Sequence, residues 1–191
     1  MFCAASDQGQ SSDRTYPPAS NGNSFRIGAA RSTGGALETV GDLHKLDFLF
    51  SGHEVVLDDG GPGEELARFR EFEAHTGSSV ATALAAGLAA LIIECVRLGV
   101  LYTNDPDDKT PKDPSVAIRM EDLDNVREKE QMRFALKSSG TDDNTHNRYI
   151  EVWQTFSHVA SVLKDNLGES SSELETIAGL ARVFLRKGVV A

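Results

Sequence analysis

The chain has 191 residues, 40% hydrophobic and 25% charged, with a formal net charge of −10. That length and balance suit a soluble globular domain with its own core, and the acidity argues against a nucleic-acid or anionic-membrane partner. Its two cysteines, Cys3 and Cys95, are too few and too far apart for a disulfide framework, and no zinc-ligand spacing is present, so no metal and no cofactor are expected.

Residues 2–5 read as a short buried strand, with Cys3 as a packed free thiol. No basic stretch followed by a long apolar core marks the start as a secretory signal, which predicts an intracellular, cytoplasmic protein. Residues 6–23 form a polar loop rich in Ser, Asp, Gly and Pro. Residues 24–30 are a second strand, carrying Phe25, Ile27 and the small Gly28, Ala29 and Ala30. Two further short apolar runs, 46–50 and 54–57, are separated by Ser51, Gly52 and His53. Residues 58–63 form an acidic, glycine-rich turn, and 66–72 suit a short helix or a strand.

Residues 80–98 have a helical pattern that should end near Gly99. Its uncharged stretch, 80–93, is too short to span a bilayer and is interrupted by Glu94 and Arg97, so a buried helix is expected, with Cys95 packed on it. Residues 104–114 are a linker of Asp, Lys and Pro. A charged helix over 121–136 should bury Leu123, Val126, Met132 and Leu136 and leave its charges solvated. Helices follow over 149–167 and 170–187, the last with Ser171 or Ser172 as N-cap. Strands come first and helices later, which predicts an α/β fold with a helical C-terminal half.

The most informative segment is 75–87, His-Thr-Gly-Ser-Ser-Val-Ala-Thr-Ala-Leu-Ala-Ala-Gly. A glycine turn delivers two serines to the start of a small-residue helix, where free N–H groups and the helix dipole favour developing negative charge. Ser78 and Ser79 also fit a plain N-cap pair ahead of a core helix. Three other segments weigh in the same direction. They are Ala4-Ala5-Ser6-Asp7-Gln8-Gly9; Tyr16-Pro17-Pro18-Ala19 with Phe25-Arg26-Ile27-Gly28-Ala29; and Leu46-Asp47-Phe48-Leu49-Phe50-Ser51-Gly52. Near the end, 132–136 followed by Tyr149-Ile150-Glu151-Val152 adds a fourth.

In this order the segments resemble the subtilisin-like serine proteases (subtilases), and most closely their intracellular fungal members. The resemblance runs over about residues 2–160 and implies the C-terminal part of a catalytic domain, a partial parallel sheet with flanking helices, with 161–191 as a helical extension. It implies a serine endopeptidase acting on polypeptides through an acyl-enzyme, with Ser79 as nucleophile and Asp7 at the oxyanion-hole position. Ala5, Ser6 and Thr15 then line the substrate pocket. Departures are clear: Asp7 stands where the family has Asn, Ser51 where it has Pro, Val80 where Met is common, and Ala83-Leu84 where it has Pro-His. An ionised carboxylate only accepts hydrogen bonds, so Asp7 is a poor oxyanion donor. The family's Asp-Ser/Thr-Gly and His-Gly-Thr segments, which supply the catalytic base and its orienting acid, have no counterpart here. His44, His53, His75, His146 and His158 fall in other contexts and read as solvated or structural. A triad without its base predicts an inactive chain. The alternatives are a degenerate, non-catalytic relative that binds polypeptide partners, and an unrelated α/β module with a coincidental serine turn.

Overall fold

The computed structural model describes residues 1–9, 22–56, 74–105, 113, 115–141, 148–165 and 170–187. They fall into two compact units, Met1–Ala85 and Ala86–Ala191. The fold is mixed α/β, as the order of patterns predicts, and its three-stranded sheet is parallel, as the resemblance implies. The turn expected over 58–63, the element over 66–72, Thr15, His146 and most of the 104–114 linker lie outside the described residues.

The first unit is built on β1 (Phe2–Ala4), β2 (Phe25–Ala30) and β3 (Phe48–Ser51), hydrogen-bonded in that order and all parallel. Register places Phe2 beside Phe25 and Ile27 beside Phe48, so one face carries an aromatic row with ring centroids 5.3 and 5.7 Å apart. Phe25, Ile27, Phe48 and Phe50 are all buried, each side chain contributing roughly 1.5–3 kcal/mol. The opposite face is covered by the crossover between β2 and β3. A Cβ at Gly28 would meet Leu46 at 2.6 Å and Val40 at 3.1 Å, so the crossover can lie against the sheet only because this residue has no side chain. A short antiparallel pair, β4 (Val55–Val56) and β5 (Ala74–His75), precedes the long helix.

That helix, α1, spans Ser78–Thr103. It does not end at Gly99. Here glycine serves packing rather than termination, because a Cβ would come within 2.5 Å of Ile118 and 3.4 Å of Ala181. The helix of 26 residues is long and apolar enough to cross a membrane by length and composition, which corrects the shorter span read from 80–93. Ala81, Ala85, Ile92 and Val96 are fully buried, and Glu94 pairs with Arg97 at 2.6 Å, features of a core helix with a solvated face.

In the second unit the expected helix over 121–136 is two helices, α2 (Met120–Asn125) and α3 (Lys129–Ser138). The break comes at Glu128, whose extended backbone (ψ 144°) stops the helical run after two tightened i→i−3 bonds, from Arg127 and Glu128 N–H to Asp124 and Asn125 C=O. Leu123, Val126, Met132 and Leu136 are all buried, so the inner face survives the break. Then come α4 (Trp153–Asp165) and α5 (Ser170–Leu185), the second starting before both serines proposed as its cap. Tyr149 and Ile150 are buried, with Ile150 bridged to Thr141 rather than helical. Helix α5 packs on α3 and α4, with Phe156 and Phe184 rings 6.0 Å apart. Its end is clamped by charge: Lys187 donates to Ala117 C=O at 2.8 Å and to the Asp122 carboxylate, and Arg186 lies 3.7 Å from the Phe134 ring centre.

Both cysteines are free and buried. Burial, reinforced by the neighbouring Glu94 charge, pushes the Cys95 thiol from 9.0 up to about 11. The folded state therefore holds its proton where the unfolded chain releases it, and this contribution to stability is complete below pH 9 and lost as pH rises toward 11. Two pK units correspond to about 2–3 kcal/mol. Denaturant melts between pH 8 and 11 should show a steeper loss of stability in the wild type than in Cys95→Ala, and parallel profiles would mean that the thiol ionises freely in the fold.

Candidate functional site

The site lies at the carboxyl ends of the three parallel strands, the usual position of ligand sites in such sheets. β1 leaves the sheet after Ala4, and Ala5 N–H still reaches Ile27 C=O at 2.8 Å. Beyond that point the next β2 residue facing the same side, Ala29, has lost its ladder partner. Its N–H donates to Ser78 Oγ at 3.2 Å and its C=O accepts from Leu37 N–H at 3.0 Å. A serine side chain at the start of α1 thus fills the ladder position that β1 vacates.

Ser78 is fully buried. Its hydroxyl donates to Asp7 Oδ1 at 2.6 Å while accepting from Ala29, and its N–H donates to Asp7 Oδ2 at 2.8 Å. Asp7 therefore satisfies one of the unpaired N–H groups of the helix start and sets negative charge at its positive end, from 71 residues away in sequence. The Asp7 turn is itself held, with Ser6 C=O accepting from Gly41 N–H at 2.9 Å and Gly9 N–H donating to Thr39 C=O at 2.7 Å.

Two glycines let these parts meet. Gly77 has φ 136° and donates to Gly52 C=O at 2.8 Å, and a Cβ on it would lie 3.1 Å from Asp7 Oδ2. A Cβ on Gly52 would sit 2.7 Å from Ala29 Cβ and 3.0 Å from Gly77 C=O. Neither approach tolerates a side chain.

Ser79, the residue expected to act, is exposed in the first turn of α1. Among the described residues nothing hydrogen-bonds its hydroxyl or its N–H. Ala5 and Ser6 border the site through the backbone bonds just given, and Thr15 lies outside the described residues. Asp7 comes to the serine segment, but to Ser78; both of its oxygens are occupied as acceptors. His75 is half-buried in β5 opposite Val55, His53 Nδ1 lies 3.7 Å from the Glu54 carboxylate, and His158 is exposed on α4. Among the described residues no cluster of His, Cys, Asp or Glu is arranged to hold a metal.

Sequence reading missed Ser78 as the organising residue and Ala29 and Gly52 as its neighbours. The pattern Gly-Ser-Ser marks a helix start but not which serine turns inward; only the strand ending at Ala4 creates the vacancy that Ser78 fills. Compared with known proteins, the chain matches no family model and no curated sequence.

The bridging geometry sets the energetics. Ser78→Ala strands the buried Ala29 N–H and should cost about 2–3 kcal/mol, and Asp7→Asn removes a charged acceptor and should cost about 1–2 kcal/mol. Because both act on one network, the double variant should fall short of additivity by about 1 kcal/mol or more in urea melts, while Ser79→Ala stays within about 0.5 kcal/mol of wild type. Strict additivity would show that Asp7 and Ser78 are not coupled.

Proposed function

We propose that the chain is subtilase-like and that Ser79 is the nucleophile position of a serine endopeptidase site acting on polypeptides. The observation that supports this most is the division of labour between adjacent serines. Ser78 is buried and locked to Asp7 and Ala29, which fixes the helix start, while Ser79 is left exposed with its hydroxyl and N–H unengaged among the described residues. A free first-turn N–H beside a free hydroxyl is a suitable donor for an oxyanion forming at that serine. The order of the matching segments and the placement of the serines at the carboxyl ends of parallel strands agree with the reading.

Activation is the missing part. A serine needs a base, and no described side chain is hydrogen-bonded to Ser79. Asp7 is committed as a double acceptor and offers no donor to an oxyanion, which favours the second reading, a non-catalytic relative that binds polypeptide partners.

Labelling with a fluorophosphonate, mapped by mass spectrometry, separates the two. The chain alone should label poorly, because loss of the base in such triads costs about a millionfold in turnover. Joined behind a subtilase segment carrying Asp-Ser/Thr-Gly and His-Gly-Thr, it should label at Ser79 and lose the label in Ser79→Ala. Absence of label in a folded fusion would remove the protease reading and leave the binding one.

A further inference from the structure

A groove of about 580 Å³ opens beside the site, lined by Arg31, Ser32 and Thr33 after β2 and by Ser51, His53 and Val55 around the end of β3. Its floor is tied to the serine segment, since Gly52, between two of these residues, accepts the Gly77 N–H. The arm that carries the cation is also fixed. Arg31 N–H donates to Gly35 C=O at 2.9 Å, Gly34 N–H returns to Arg31 C=O at 2.9 Å, and Ala30 bridges Ala36.

What the groove offers is a set of unused donors. Among the described residues the Arg31 guanidinium has no ion pair, and the hydroxyls of Ser32, Thr33 and Ser51 have no hydrogen-bond partner. The one carboxylate in the lining, Glu54, is turned to His53 at 3.7 Å, and the Glu54 backbone, held at φ 50°, is fixed by its N–H bond to Thr76 Oγ1 at 2.9 Å. A planar guanidinium beside two or three hydroxyls matches a carboxylate, which accepts from both. The chain as a whole carries −10 and repels anions at long range, so attraction to this point is local to Arg31 and short-ranged.

We propose that this groove is a carboxylate-reading subsite, with Arg31 as its specificity determinant and Ser32 and Thr33 as supporting donors, so that the site takes polypeptides bearing an acidic side chain. The assignment of polypeptide as the ligand rests on the reading of Ser79 given above.

The test is titration of the ¹⁵N-labelled chain at low salt with acetyl-Ala-Glu-Ala-amide and with its Gln counterpart, following the amides of Ser32, Thr33 and His53. The Glu peptide should bind about tenfold more tightly, equivalent to about 1.4 kcal/mol, and Arg31→Gln should erase the difference. Arg31 is exposed, so the variant keeps the wild-type spectrum elsewhere. Equal binding of the two peptides, or a preference that survives Arg31→Gln, overturns the subsite. Free acetate moving the same amides with the affinity of the Glu peptide overturns polypeptide as the ligand. Labelling of Ser79 is read separately, in the fusion: Arg31-dependent binding with a Ser79 that stays unreactive in the folded fusion sinks the protease reading alone, and a Ser79 that labels there without such binding sinks this proposal alone.

Discussion

The first unit depends on one three-way hydrogen bond. Ser78 Oγ accepts from Ala29 N–H at the end of β2 and donates to Asp7 beyond the end of β1, while Ser78 N–H closes on the same carboxylate. A sheet end and a helix start both leave backbone groups without partners. Here each end supplies what the other lacks. The strand has a spare donor, the helix has spare donors too, and a carboxylate with a hydroxyl between them supplies the acceptors. The junction is buried at Ser78, where an unmatched polar group is costly, so the three partners are not separable.

Packing around the junction leaves no room for drift. Gly52 and Gly77 are pressed against Ala29 and Asp7, and Gly28 lets the crossover lie on the sheet. At Gly52 the neighbours are the Gly77 carbonyl and the Ala29 Cα and Cβ, which relax far less than side-chain ends. The direction in which Ser79 leaves the turn is therefore fixed by the glycine at φ 136° before it and by the anchored Ser78 beside it. Orientation of an exposed hydroxyl by buried neighbours is what a nucleophile position requires. The same fixity serves a binding surface equally well, which is why the geometry alone is compatible with both proposed readings.

Elements with a dense local pattern were legible. β2 and β3 stand out by Phe25, Ile27, Phe48 and Phe50, and the inner face of 121–136 by the pairs Leu123 with Val126 and Met132 with Leu136, three and four residues apart. Where sequence reading failed, a distant contact decided. Gly99 looks like a helix end until Ile118 and Ala181 are seen to occupy the space its Cβ would take. The break at Glu128 carries no Pro or Gly to announce it. At the site, Asp7 was legible as a partner of the serine segment, but the identity of the serine it holds was not, because that follows from the length of β1. The Arg31 groove was illegible for the same reason: it joins two strand ends that only the parallel register brings together.

The contact between Asp7 and Ser78 has the look of a base and a nucleophile, with 2.6 Å between carboxylate and hydroxyl. Three physical facts speak against that role. Ser78 is fully buried, so no peptide bond can approach its oxygen. Its hydroxyl already accepts from Ala29, which ties up electron density that an attacking oxygen must present. A carboxylate is also a poor base for an alcohol without a histidine between them. The short contact is therefore better understood as a structural charge-assisted bond. In the proposed protease reading the acting hydroxyl is that of Ser79, and its dependence on Asp7 is indirect: the carboxylate holds the residue that holds the helix start from which Ser79 projects.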